Sequence, residues 1–223
     1  MEFWSRVIIF LGKDMHALVL GGLMAAFLLG AGLWTRAARW LLSLGAGVAL
    51  VLAGKLAFGF YGWSLPGLEF YVISGHAMLT AAVYPVGLSV AGAMVSPRLA
   101  RWGLVAGLAL ALVVSVVLVL GLYHTVTETL AGAVVGLAVT AFNVRPGVQP
   151  FVSLRDRRDR GLLTVLVCVA ALLPIYRALG PLKDAMWEAG ARSLGVKTQY
   201  LRDIQLDVAT GRPVVVILEC DTS

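Results

Sequence analysis

The stretch LVAGLALALVVSVVLVLGLYHTVTETLAGAVVGLAVTAFN, residues 104–143, holds two apolar runs joined by a short polar corner. The first run carries no charge, and the second carries only Glu128. Each approaches the roughly 20 residues that a helix needs to cross a hydrocarbon core. Reading outward from this pair places six spans, near 16–34, 40–58, 76–96, 101–122, 125–142 and 161–178. Composition agrees: 60% of the 223 residues are hydrophobic and 13% are charged, against roughly half and a quarter in a soluble domain. The chain therefore reads as an all-α membrane protein, a six-helix transmembrane bundle over residues 16–178.

Two further segments flank the bundle. In residues 1–15, Phe3, Trp4, Val7, Ile8 and Leu11 recur at helical spacing opposite Glu2, Arg6 and Lys13, which suits a helix lying in the membrane interface. An extension of the first span is the alternative. Residues 179–223 are of different material: a short amphipathic helix over 181–193, then the strand-like runs DIQLDV and PVVVILE. ATGR between them is a turn signal, so a small hairpin outside the membrane is expected. Gly132 and Gly136 stand at the small-xxx-small spacing that lets membrane helices approach closely, and a packing role is expected for them.

Charge fixes an expected orientation. Arg36 and Arg39, Arg98 and Arg101, and Arg145, Arg155, Arg157, Arg158 and Arg160 fall between spans that alternate onto one face. The opposite loops, 59–75 and 123–124, contain no Lys or Arg. By the positive-inside rule the arginine-rich face is cytoplasmic. The net charge of +6 is read through this topology; arginines scattered among loops do not make a nucleic-acid surface. Cys168, inside a span, and Cys220 suggest neither a disulfide framework nor a metal cluster.

Ionisable residues at membrane depth are costly and mark functional cavities. Here they gather at one expected face, the outer one: Lys55 near the end of span two, Ser74, Gly75 and His76 at the mouth of span three, His124 and Glu128 at the mouth of span five. Taken singly, each has a plainer role. Lys55 suits a side chain snorkelling to headgroups, and Ser74 suits an N-cap. Glu128, one turn after His124, needs a partner, and His124 at i−4 provides one. Taken together they form a chemical set. A histidine held by a carboxylate presents its other nitrogen as nucleophile or base. A second histidine can protonate a leaving oxygen. An ammonium, a hydroxyl and a glycine-flanked N–H can hold phosphate oxygens. The spacing is not a helical HExxH, so no metal and no cofactor is expected.

These residues resemble the type 2 phosphatidic acid phosphatase family, membrane relatives of the vanadium haloperoxidases, whose motifs are K-x6-RP, PSGH and SR-x5-H-x3-D. Lys55 matches the lysine, Ser74-Gly75-His76 matches SGH, and His124 with Glu128 matches H-x3-D with glutamate for aspartate. The resemblance covers residues 50 to 140. It implies a lipid phosphatase in which His124 forms a phosphohistidine, Glu128 orients it, His76 protonates the leaving group, and Lys55, Ser74 and Gly75 hold the phosphate. The substrates it implies are lipid phosphates and diphosphates, met at the outer face of a bacterial inner membrane.

Both motif arginines are missing. Their positions hold Gly62 and Leu118, and Trp63 replaces the proline. Lysine does not reproduce arginine's bidentate fork. A substitute cation is expected from the outer end of span six, Arg177, ahead of Lys183 and Arg202. Two readings stand: a divergent enzyme, or a non-catalytic member of the fold that binds lipid or joins an assembly, with its tail contacting a protein partner.

Overall fold

The computed structural model describes residues 14–144, 158–176, 179–196, 198–207 and 210–221. The expected interfacial helix lies outside them up to residue 13, as do Arg145, Arg155, Arg157 and Arg177. In chain order the elements are α1 (Asp14–Gly30), α2 (Trp34–Tyr61), a 3-10 turn (Pro66–Leu68), α3 (Gly75–Ala93), α4 (Pro97–Leu120), α5 (Val126–Asn143), α6 (Arg158–Tyr176), α7 (Leu179–Ser193), β1 (Thr198–Leu206) and β2 (Pro213–Asp221). Among the described residues four helices, α2 to α5, are long and apolar enough to cross a membrane; α1 is apolar but shorter.

The architecture is centred on α3. Two thirds of its apolar window is buried inside the protein, against 39% or less for the other three spanning helices. It packs against α1, α4 and α5, while α6 lies along α1. Close approach to α5 runs through Gly132 and Gly136: a Cβ at Gly132 would strike the Ser74 carbonyl, and one at Gly136 the Met78 carbonyl. The expected packing role of these glycines is what the structure shows.

Pro85 sits inside α3. It has no N–H to offer the Ala81 carbonyl one turn earlier, and an orphaned carbonyl is costly in an apolar interior. Thr140 on α5 supplies the missing donor, its Oγ1 lying 2.6 Å from Ala81 O. A sequence break in one helix is thus repaired by a hydroxyl on its neighbour.

Helix boundaries differ from expectation where arginines are concerned. The turn between α1 and α2 is only Ala31–Leu33, so Arg36 and Arg39 lie in the first turns of α2 rather than in a loop. Arg98 and Arg101 likewise lie in α4, which starts at Pro97 behind the N-cap Ser96. Arginine is a good helix former whose stem lies comfortably along apolar surface, so nothing requires the helix to wait for the charges to pass. At its far end α2 runs on to Tyr61 and stops at Gly62, whose φ of 66° favours glycine.

The tail forms the expected helix and hairpin. The strands pair antiparallel, with Arg202 opposite Ile217 and Ile204 opposite Val215. β1 begins at Thr198, earlier than the expected DIQLDV run, because the residues ahead of it pack on the bundle. Tyr200 and Val215 rest against Phe58, Tyr71 and Val72. Trp187 of α7 stacks near Phe60 at 4.7 Å and donates from Nε1 to Gln199 Oε1 at 3.2 Å. Helix α7 and the hairpin therefore cover the bundle end at which α2 and α4 finish and α3 and α5 begin.

Replacing Gly136 by leucine should force α5 away from α3, at about 1–3 kcal/mol of overpacking or more. Thermal unfolding in detergent should show a clear loss for Gly136→Leu. Gly45→Leu, where an added Cβ meets nothing within 4 Å, should leave the midpoint unchanged or raised.

Candidate functional site

At the covered end, Thr125 is the N-cap of α5 and Glu128 is its N3 residue. The Thr125 side chain accepts from the Glu128 N–H, and the Glu128 carboxylate accepts from the Thr125 N–H, a capping box. T-x-x-E is a sequence signature of this arrangement, and it explains why glutamate stands here: its extra methylene lets the carboxylate reach back to the helix start. Ser74 caps α3 in the same way, its Oγ accepting from Ala77 N at 3.3 Å. Ser74 and Glu128 are both 0% exposed.

Four donors converge on the Glu128 carboxylate. Val72 N lies 3.3 Å from Oε1, and Thr125 N lies 3.3 Å from Oε2. His124 Nδ1 is 2.9 Å from Oε2, and Arg202 Nη2 is 2.7 Å from the same oxygen. Three of these donors crowd on Oε2 and one meets Oε1, so both oxygens of this buried charge are engaged. The Glu128 backbone carbonyl also accepts from Ser74 N at 3.2 Å. One residue thereby holds the start of α3, the start of α5 and the hairpin together.

Proton placement follows from the triangle of atoms. Arg202 Nη2 lies 2.8 Å from His124 Nδ1, and a guanidinium cannot accept. A bare Nδ1 would set its lone pair against the carboxylate at 2.9 Å. We therefore assign the proton to Nδ1, with both nitrogens donating to Oε2, an assignment made from the network. Nε2 of His124 then faces away from Glu128. The His76 ring lies beyond, 6.0 Å between centroids and tilted by 57°.

Arg202, named behind Arg177 as a substitute cation, is brought to Glu128 and His124, while Arg177 lies outside the described residues. Arg202 enters from β1, where Tyr200, Arg202 and Ile204 share the inward face while Leu201, Asp203 and Gln205 are exposed. A charged residue at the inward register of an apolar face was the available signal, and it required the strand to begin at Thr198. Burial pulls the Arg202 guanidinium below the ordinary arginine range, while Glu128 and Tyr71 pull it back up.

The absent motif arginines have local explanations. Gly62 lies under the Tyr200 ring, 3.1 Å from where a Cβ would stand, so the hairpin occupies that corner. Leu118 is 2% exposed and packs with Ala77 and Val114. Lys55, on α2, is half-buried at the same bundle end, next to Gly54, which faces Ile73. His76 is half-buried and Gly75 buried at the start of α3. Among the described residues no group of three or more His, Cys, Asp or Glu is arranged to hold a metal.

Over 103 residues the chain is 34% identical to an uncharacterized 22.5 kDa protein in cps region of Klebsiella pneumoniae. The match covers 46% of this chain and 49% of that protein, so it spans about half the relative's length. No family model matches, and no solved structure matches.

Removing one partner of a buried ion pair leaves the other uncompensated, at about 3–5 kcal/mol. Glu128→Leu and Arg202→Leu should each lower the unfolding midpoint in detergent sharply. The double variant should recover much of the loss, and a double-mutant cycle on the unfolding free energies measures this coupling.

Proposed function

We propose that this protein is an integral membrane phosphatase of the type 2 phosphatidic acid phosphatase kind, hydrolysing a lipid-linked phosphate or diphosphate. The observation that carries the reading is the pairing of a carboxylate-held His124 with His76 at 6.0 Å, beside the half-buried Arg202. In this reading all six expected spans cross the membrane, with α1 and α6 completing the bundle. The site faces the exterior and the arginine-rich end faces the cytoplasm, in the inner membrane of a bacterium.

The chemistry proceeds in two balanced steps. His124 Nε2 attacks phosphorus, an N–P bond forms as the bond to the leaving oxygen breaks, and His76 gives that oxygen its proton. Water then attacks the phosphohistidine, His76 takes a proton from it, and the N–P bond breaks to release phosphate and restore both histidines. Glu128 holds the Nδ1 proton throughout and stabilises the positive ring.

Phosphate binding is assigned to Lys55, the N–H groups at the start of α3 around Gly75, and Arg202. The Nη2 corner of Arg202 holds Glu128, and the Nη1 and Nε corners are the donors for phosphate oxygens. Ser74, the buried N-cap of α3, acts by fixing the start of that helix. Arg202 here replaces Arg177, which lies outside the described residues, as the substitute for the missing motif cations.

A second reading, a non-catalytic member that binds lipid or a protein partner through its tail, draws on Gly62 under Tyr200 and on buried Leu118. The two part on a direct assay. Purified protein should release inorganic phosphate from phosphatidic acid or a polyprenyl diphosphate in detergent with chelator present, and His124→Ala should release none. Arg202→Ala should lose roughly ten- to a hundredfold in kcat/KM, the worth of a charge-assisted hydrogen bond. Phosphate release by His124→Ala at the parent rate would overturn the mechanism. Parent protein that traps no phosphohistidine and co-purifies with a partner lost on deleting the tail would establish the second reading.

A further inference from the structure

At the opposite end of the bundle, α2 and α5 part to leave a groove of about 500 Å³. Ala46, Gly47 and Ala138 form its floor, with Leu42, Leu50 and Phe142 along its rim. Gly47 lets α2 close onto α3, since a Cβ there would already stand 3.3 Å from Met78 Sδ. The rim is apolar and open outward: Leu42 is 74% exposed and Leu50 49%. From residue 42 to residue 50 the groove follows about 12 Å of helix rise. An apolar channel on the outside of membrane-crossing helices is filled by an acyl chain.

The groove has a charged mouth. Arg39 lies over the Phe142 ring, 6.0 Å from Cζ to its centroid, and donates from Nη2 to Asn143 O at 3.4 Å. Its Nε is buried with no hydrogen-bond partner among the described residues. Arg36, one turn earlier, faces a separate small cavity with Met24, Trp40, Val90 and Asn143. Asn143 in turn donates from Nδ2 to Ser43 Oγ at 2.9 Å, and Ser43 lines the groove. Arg39, over the Phe142 ring, therefore stands at the end of the apolar channel.

We propose that this groove is a binding site for an anionic glycerophospholipid of the leaflet at the arginine-rich end. One acyl chain lies between α2 and α5, and the phosphate sits at Arg39. Charge complementarity selects the headgroup: an arginine at a membrane surface favours an anionic lipid over a zwitterionic one by about 1 kcal/mol, or about fivefold. The site lies at the other end of the bundle from His124 and does not depend on the phosphatase reading.

The test is native mass spectrometry of the full chain released from micelles containing equal amounts of phosphatidylglycerol and phosphatidylcholine with the same acyl chains. The parent should retain phosphatidylglycerol in preference, by about fivefold on the same estimate. Arg39→Gln should lose about fivefold of that preference. Ala46→Phe, at an exposed floor position, should block the channel and lose retention of both lipids without unfolding. Arg98→Gln, a cation at the same end but off the groove, should behave as the parent. Equal retention of the two lipids by the parent would overturn the proposal. So would an unchanged preference in both Arg39→Gln and Ala46→Phe, or an Arg98→Gln loss equal to that of Arg39→Gln.

Discussion

Glu128 is the constraint on which the rest depends. A fully buried carboxylate is tolerable only when its charge is met and its lone pairs are filled. Here the filling is done by four different parts of the chain: the segment before α3, the N-cap of α5, a histidine and the C-terminal hairpin. Each of those parts is thereby fixed relative to the others. The capping box explains the choice of glutamate, the ion pair explains the docking of the hairpin, and the hydrogen bond to His124 fixes which ring nitrogen is presented.

The surrounding bundle serves that arrangement by letting α3 and α5 run almost backbone to backbone. Their approach through Gly132 and Gly136 brings the start of α3 beside the start of α5, which is why Ser74 N can reach the Glu128 carbonyl. The loop ahead of α3 is tied down in the same place. Thr125 and Thr127 hydroxyls donate to Glu69 O at 2.7 and 2.9 Å, and Glu69 adopts a positive φ of 50° that turns its carbonyl toward them. Fixed helix starts, rather than flexible loops, position both histidines.

Much of this was legible in residue order. Apolar runs revealed the long helices, and polar residues out of place within them marked His76, His124 and Glu128. Valine-rich PVVVILE revealed β2. What stayed hidden depends on contacts distant in sequence. Arg202 gained its place only through the register of β1, and β1 starts early because Tyr200 finds Gly62 and Phe58 to pack on. Topology preferred Arg177, at the outer end of span six and outside the described residues, and topology carries no information on which strand face points inward. The capping role of Thr125 was readable from T-x-x-E, but the pairing of Glu128 with His124 drew attention away from it. Arginines marked helix boundaries poorly for a similar reason: their long stems let α2 and α4 start before the charges end.

The hairpin also sets an order of assembly. Arg202 lies 78 residues after His124, so α5 emerges from the ribosome long before its counter-ion exists. Until β1 is made, the Glu128 carboxylate has only its partners in Val72, His124 and Thr125. The arrangement around Glu128 is therefore completed only when the last strand pair docks on the bundle.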